Sequence, residues 1–145
     1  MRLRDSQRAK VYRWEQSVIR PNDKVRLTRE ECRELVERVF SDYNFYGLEP
    51  ELRFRGTSRT RATGCRAYIN LPPWAMITSV VLHEVAHALG DRRLVSAHAW
   101  HGPEFVRLYC ELLSRYSEFG HAASGLRAER INVQTKVWYE EVYYQ

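Results

Sequence analysis

The feature that most constrains the fold of this chain is an apolar segment over residues 77–89 with a single polar stripe. On a helical wheel its apolar side chains cover most of the circumference; they are Ile77, Val80, Val81, Leu82, Val85, Ala86, Ala88 and Leu89. The polar sector holds Ser79, His83 and His87. A helix that is apolar nearly all round is a buried helix, and imidazoles on its stripe need partners there. The sequence therefore predicts a buried helix from Trp74 to Leu89.

The two histidines of this segment have the spacing of metal ligands. His83 and His87 are four residues apart, so they project from one helix face, one turn apart. Two imidazole nitrogens at that spacing can both reach one zinc ion at about 2.0–2.1 Å. Glu84 lies about 100° around the helix, where it can act as a general base on a water rather than as a ligand. This H-E-x-x-H pattern predicts a catalytic zinc site.

A catalytic zinc ion needs a third protein ligand and leaves its fourth position open. The longer pattern H-E-x-x-H-x-x-G-x-x-H is only half present, because Gly90 fits but Arg93 occupies the position of the last histidine and cannot bind a cation. The metzincin arrangement is thereby excluded. The remaining candidates follow in the chain, and they are Asp91, His98, His101 and Glu104.

His101 is the favoured third ligand, because it stands directly before a predicted helix start. Gly102 permits a turn, and Pro103 pre-sets the first helical φ angle. His98 lies in the middle of a predicted loop, and Glu104 would instead give a His-His-Glu site; both stay open as alternatives. Asp91 or Glu104 could also accept a hydrogen bond from the outer nitrogen of a ligating histidine.

The rest of the chain predicts a single α+β domain over residues 1–145. Thr28 and Glu31 form a capping-box pattern at a helix start, and two short runs alternate apolar and polar residues with period two. Helices are predicted over 4–19, 28–40 and 103–116, strands over 51–55 and 65–72, and a late strand or aromatic tail over 131–144. With a hairpin loop between the two strands, the expected fold is a compact zincin-like domain whose small antiparallel sheet packs against the H-E-x-x-H helix.

Composition narrows the protein's class and its partners. The chain has no apolar run of membrane-spanning length and no signal-peptide core at its start, so we expect a cytoplasmic protein that does not enter a membrane. Its three cysteines form no C-x-x-C pair and predict buried, reduced thiols. The net charge is +5, and the densest basic cluster predicts at most a weak contact with nucleic acid. The arginines of this cluster are Arg53, Arg55, Arg59, Arg61 and Arg66.

A family resemblance rests on three stretches of the sequence. The strand "GCRAYINLP", the helix "VVLHEVAHAL" and, after a loop, "HGPEF" resemble the SprT-like zincin metallopeptidases. Within them the chain is most similar to a small group of metallohydrolases from mycobacteria, related actinobacteria and their phages, for which "RDSQRAKVY" is also a typical opening. The resemblance implies a zincin fold, bound Zn²⁺ and His101 as the third ligand. It does not extend to the four-cysteine zinc ribbon of many SprT-like proteins, so DNA-dependent activity is not expected.

The predicted function is a zinc-dependent metallopeptidase that hydrolyses peptide bonds with a Glu84-activated water. The donor to the oxyanion stays open among His98, Arg107 and the nine tyrosines. The strand over 65–72 is expected to offer a free edge to an extended peptide. Two alternatives remain: a metal-dependent hydrolase of a non-peptide amide or ester, and a non-catalytic zinc module that binds nucleic acid. Glu84 argues against the last, because a structural zinc site needs four ligands and no base.

Overall fold

The structure is a computed structural model that describes residues 5–57, 60–93 and 100–133. The fold class is α+β, as predicted. Its helices and strands are, in chain order, α1 (Arg8–Trp14), α2 (Arg29–Asp42), β1 (Glu51–Phe54), β2 (Thr63–Gly64), β3 (Tyr68–Leu71), α3 (Thr78–Arg93) and α4 (Pro103–Tyr116). The chain divides into two compact units: one is Val25–Arg92, and the other combines Met1–Lys24 with Arg93–Gln145.

The sheet of the Val25–Arg92 unit has three strands in the order β1-β3-β2. β1 pairs with β3 in parallel, and β2 pairs with β3 antiparallel. The predicted hairpin and purely antiparallel sheet are therefore wrong. The connection over residues 55–67 is long enough for a parallel crossover. This connection also contains β2. A tight turn joins β2 to β3 and is closed by a 2.9 Å hydrogen bond from the Cys65 amide to the Tyr68 carbonyl, so that the two strands lie side by side.

α2 begins where its capping residues indicate. The Thr28 hydroxyl accepts a hydrogen bond from the Glu31 amide at 3.0 Å, and the Glu31 carboxylate accepts one from the Thr28 amide at 2.9 Å. The predicted capping box is thus confirmed, and it satisfies two amide groups that the first turn of a helix leaves without intrahelical partners. The buried face of α2 includes Val36, Val39 and Phe40.

α3 is the buried helix that the apolar segment predicts, with shifted ends. Every residue from 79 to 90 is buried. The helix begins at Thr78 rather than Trp74, because a 3-10 turn over Pro73–Ala75 precedes it, and it continues past Leu89 to Arg93. Residues 90–93, which follow the predicted end of this helix, are therefore helical.

The second unit is built on α1 and α4. The predicted first helix begins only at Arg8 and continues beyond α1 as a π-helical turn, Glu15–Ile19, and a 3-10 turn, Arg20–Asn22. α4 has the predicted bounds, with proline in its first turn. The rings of Trp14 and Tyr109 meet edge to face with centroids 5.8 Å apart, and the Trp14 indole donates a 2.9 Å hydrogen bond to the Ala122 carbonyl. These contacts place α1, α4 and the 3-10 turn Gly120–Gly125 around one core.

Some predictions lie outside the described residues, namely those on Arg59, on His98 and on the part of the late strand beyond residue 133. Among the residues that the structure does describe, no helix combines the length and apolar character that crossing a membrane requires.

Candidate metal centre

The two histidines of α3 point their ring nitrogens at one another. The Nε2 atoms of His83 and His87 are 3.1 Å apart, and the ring centroids are 4.9 Å apart at an interplanar angle of 67°. Two imidazoles bound to one tetrahedral zinc at about 2.0–2.1 Å hold their nitrogens roughly 3.3 Å apart. The helix therefore holds the pair close to the spacing that one metal ion requires, as i and i+4 side chains on one face should be held.

Glu84 follows His83 on α3 and is only 5% exposed. Its backbone faces the edge strand β2: a side chain at Gly64 would overlap the carbonyl oxygen and the Cα atom of Glu84. Glycine is therefore required at position 64, because only a residue without Cβ allows this strand to approach the helix so closely. The close approach fixes β2 beside the residue that the sequence assigns as the general base.

His101 is held by the N-terminal segment of its own unit. Asp5 accepts two hydrogen bonds from this one residue: Oδ2 lies 2.8 Å from the imidazole Nδ1, and Oδ1 lies 3.1 Å from the backbone nitrogen. Gln7 donates a 3.1 Å hydrogen bond to the His101 carbonyl. The sequence did not point to Asp5 or Gln7, since the contacts join residues 94 to 96 positions apart and carry no local pattern.

Of the two residues predicted to hold His101 rigid, Gly102 and Pro103, only Pro103 has the predicted role. Pro103 does occupy the first turn of α4, but Gly102 has φ −75° and ψ −176°, an extended conformation that any residue adopts. The backbone freedom of glycine is therefore not what fixes His101. Its contacts with Asp5, Gln7 and two flanking aromatic rings do so instead. The centroids of these rings, Tyr12 and Phe105, lie 5.1 and 5.2 Å from that of His101.

Three buried histidines, His83, His87 and His101, are positioned to bind a metal ion, with one ring nitrogen of each within 4.8 Å of the others. Their exposed fractions are 4%, 7% and 5%. Three imidazoles with a fourth position left open form a donor set of catalytic zinc sites. Imidazole also suits copper, iron and nickel, so this donor set fits zinc without requiring it.

Of the other sequence candidates, the structure describes Asp91, Glu104 and Arg107 but not His98. A carboxylate oxygen of Asp91 lies 3.3 Å from the backbone nitrogen of Arg66. Glu104 is half-buried in the first turn of α4 and does not belong to the three-histidine group. Arg107, a candidate oxyanion donor, is also half-buried on α4. Asp5 is thus a carboxylate that binds a ligand candidate, and the sequence did not propose it.

The cysteines are free thiols, as predicted, although only Cys32 is fully buried. Burial raises the pKa of the Cys32 thiol to about 11, with the nearby Glu31 carboxylate adding to the effect. Burial likewise raises the pKa of Cys110 to about 12. The thiolate is the form that binds metals and attacks carbonyls, and these raised pKa values favour the protonated thiol of both residues at neutral pH.

Comparison with known proteins gives no match: neither a family model, nor a curated protein, nor a solved structure is significantly similar to this chain.

Proposed function

We propose that this protein is a zinc-dependent metallopeptidase of the SprT-like zincin type, in which Glu84 activates the water that attacks a peptide bond. The observation that carries the proposal is the geometry of the H-E-x-x-H helix. α3 is buried along the motif, and the Nε2 atoms of His83 and His87 are 3.1 Å apart. A structural site would need a fourth ligand, and it would not need a carboxylate next to the first histidine.

The metal would be held by His83, His87 and His101. A zinc ion bound there would supply Lewis acidity, which would polarise the scissile carbonyl and lower the pKa of water towards neutrality. The protein's own contribution is to hold three neutral imidazoles in a dry environment, since all three rings are buried. His101 is already oriented by Asp5 through two hydrogen bonds.

Glu84 would move the proton. Its carboxylate accepts a proton from the attacking water and then delivers it to the departing amine, so that one residue serves as base and then as acid. Burial favours this role, because a carboxylate at 5% exposure has little water competing for its oxygens.

Tyr12 is the oxyanion donor that we favour among the candidates of the sequence. Its ring contacts the His101 ring, with centroids 5.1 Å apart and planes tilted by 58°. The side chain is 37% exposed, which leaves it accessible to a substrate. A phenol hydroxyl near the reacting carbonyl can stabilise the negative charge that develops on its oxygen.

The substrate edge must differ from the one that the sequence indicated. β3 is the central strand, so β1 and β2 take both of its edges. We therefore assign an extended peptide to the outer edge of β2, whose Gly64 lies against the backbone of Glu84. Pairing with an edge strand aligns a peptide by main-chain hydrogen bonds without demanding a particular sequence.

A weak contact with nucleic acid and a cytoplasmic location belong to the same proposal. Arg55, Arg61 and Arg66 are exposed, whereas Arg53 bonds to Glu51 at 3.3 Å and lies over the Tyr68 ring at 4.1 Å. Such a partly neutralised cluster supports only salt-sensitive binding. The free thiols suit a reducing compartment.

The test is to compare the wild-type protein with Glu84→Gln on an unfolded protein substrate, with cleavage followed by mass spectrometry. Glutamine keeps the shape of the side chain but cannot take up the proton, so cleavage should fall by on the order of 100-fold or more. Zinc content, measured by native mass spectrometry, should stay at one ion per chain. Removing zinc from the wild-type protein with a chelator should abolish cleavage to the same extent.

Glu104→Gln is the matched control, because it removes a half-buried carboxylate from the first turn of α4, outside the three-histidine group, and should retain both zinc and activity. Loss of zinc from Glu84→Gln would show that Glu84 is a ligand and would contradict the proposed mechanism. A fully zinc-loaded wild-type protein that cleaves small esters or amides, but no peptide, would favour the non-peptide alternative.

A further inference from the structure

The N-terminal segment holds His101 in one tautomer and one orientation. Asp5 is a carboxylate acceptor, so the imidazole Nδ1 at 2.8 Å must carry the hydrogen of this contact. In the neutral ring, Nε2 then carries the lone pair that a metal ion needs. The second carboxylate oxygen accepts from the His101 amide at 3.1 Å, so the ring and its backbone are fixed by one side chain.

Gln7 holds the same residue from its carbonyl side. Its Nε2 donates to the carbonyl oxygens of His101 and Asn132, each at 3.1 Å, while its Oε1 accepts from the Asn132 amide. Gln7 is only 5% exposed, so these hydrogen bonds are shielded from water and hold their geometry. His101 is thus held through its ring, its amide and its carbonyl by two residues of the segment that precedes α1.

We propose that Asp5 is a positioning residue of the metal centre, with Gln7 as its backbone anchor, so that metal affinity depends on the N-terminal segment as well as on the three ligands. The inference rests on the metal centre of the proposed function but not on peptide hydrolysis. A carboxylate that accepts the outer hydrogen of a ligating imidazole fixes its tautomer and raises its basicity. Asp5 meets the requirements of that role. Its Oδ2 lies 2.8 Å from the His101 Nδ1, its Oδ1 accepts from the His101 amide, and its side chain is only 21% exposed.

The variant Asp5→Asn distinguishes a positioning role of Asp5 from a role in packing alone. Asparagine has nearly the shape of aspartate but offers one acceptor oxygen instead of two. If the amide nitrogen faces Nδ1, the imidazole hydrogen moves to Nε2, and this tautomer disfavours metal binding at that atom. If the oxygen faces Nδ1, the His101 amide loses its acceptor. Asp5→Asn should therefore weaken zinc binding by about 10- to 100-fold, which is the usual effect of losing such a partner.

Two further variants make the test specific. Asp5→Glu keeps both oxygens on a longer side chain and should recover part of the lost affinity. Glu129→Gln removes a carboxylate from the same unit, one that pairs with Arg13 at 3.7 Å and belongs to no contact of His101. It should bind zinc like the wild-type protein.

The experiment measures zinc dissociation constants of the full chain by competition with a chromophoric chelator, together with the absorption spectrum of the Co²⁺-loaded protein. The expected result is weaker zinc binding and an altered Co²⁺ spectrum in Asp5→Asn, partial recovery in Asp5→Glu and no change in Glu129→Gln. The thermal midpoint of the metal-free proteins should be similar in all four, which excludes general unfolding as the cause.

Wild-type affinity in Asp5→Asn would overturn the inference, as would an equal loss in Glu129→Gln. A wild-type protein that binds no divalent metal would overturn the inference and the metal centre together. A protein that binds zinc, shows the Asp5 effect and cleaves no peptide would leave the inference standing while the proposed peptidase function fails.

Discussion

The two histidines of α3 and the histidine before α4 are held in place by different means. His83 and His87 lie one turn apart on one face of α3, and this helix geometry brings their Nε2 atoms within 3.1 Å of each other. His101 owes its position to Asp5 and Gln7, which are more than ninety residues away in the chain. The first arrangement can be predicted from the spacing of the two histidines in the sequence. The second exists only after the chain has folded.

This difference indicates which part of the candidate metal centre tolerates substitutions elsewhere in the chain and which part does not. A pair on a buried helix keeps its geometry as long as the helix forms, whereas a histidine held by long-range hydrogen bonds depends on every partner that orients it. Substitutions that act on one arrangement and spare the other are therefore the most informative tests.

The largest effect is expected from removing a ligand of either kind. His87→Ala and His101→Ala should each weaken zinc binding by more than about 100-fold, the upper end of what loss of an outer-shell partner costs. Metal content after dialysis and chelator competition measure this effect. His121→Ala is the matched control, because His121 is exposed and lies outside the three-histidine group; it should bind zinc normally.

His98→Ala extends the same experiment to the alternative that the sequence left open. It should retain zinc and at most slow turnover. If zinc were lost from His98→Ala and retained by His101→Ala, His98 would be the third ligand. The comparison with the helical pair would then concern His98 and not His101.

A smaller effect is expected from Gly64→Ala, which acts on α3, the helix that carries His83 and His87. The added Cβ would overlap the Glu84 backbone, so β2 or α3 must shift, at a cost of roughly 1–3 kcal/mol in unfolding free energy. Urea denaturation measures the loss, and under the proposed function peptide cleavage should fall with it, because the shift displaces Glu84 and the strand edge proposed to bind the peptide. Gly56→Ala is the control, since nothing lies within 4 Å of a Cβ there. Equal stability of the two variants would contradict the close approach.

The smallest effect is expected from Thr28→Ala, which removes one half of the α2 capping box. The lost hydrogen bond to the Glu31 amide should lower the unfolding free energy by about 1 kcal/mol. Zinc affinity, measured on the folded protein, should stay unchanged, because the spacing of His83 and His87 is a property of α3. Weakened zinc binding in this variant would show that the helical pair also depends on distant contacts.

The sequence was a good guide wherever the signal was local. The capping box of α2, the bounds of α4, the burial of α3 and the alternation that buries Ile69 and Leu71 each follow from residues a few positions apart. It failed on the sheet, because period-two alternation says which face of a strand is buried but not which strand it pairs with. The sequence places Thr63 and Gly64 in a loop, because a strand of two residues carries no detectable pattern.

The sequence by itself determined the H-E-x-x-H helix and its burial, because the spacing of side chains on a helix is set by backbone geometry. Among the candidate third ligands the sequence favours His101, partly through Gly102, whose φ angle of −75° is one that any residue adopts. Only the tertiary structure decided what holds His101, which strand lies beside Glu84 and why residue 64 is glycine. Those relations join residues far apart in the chain, and such pairs meet only when the packing of the whole fold brings them together.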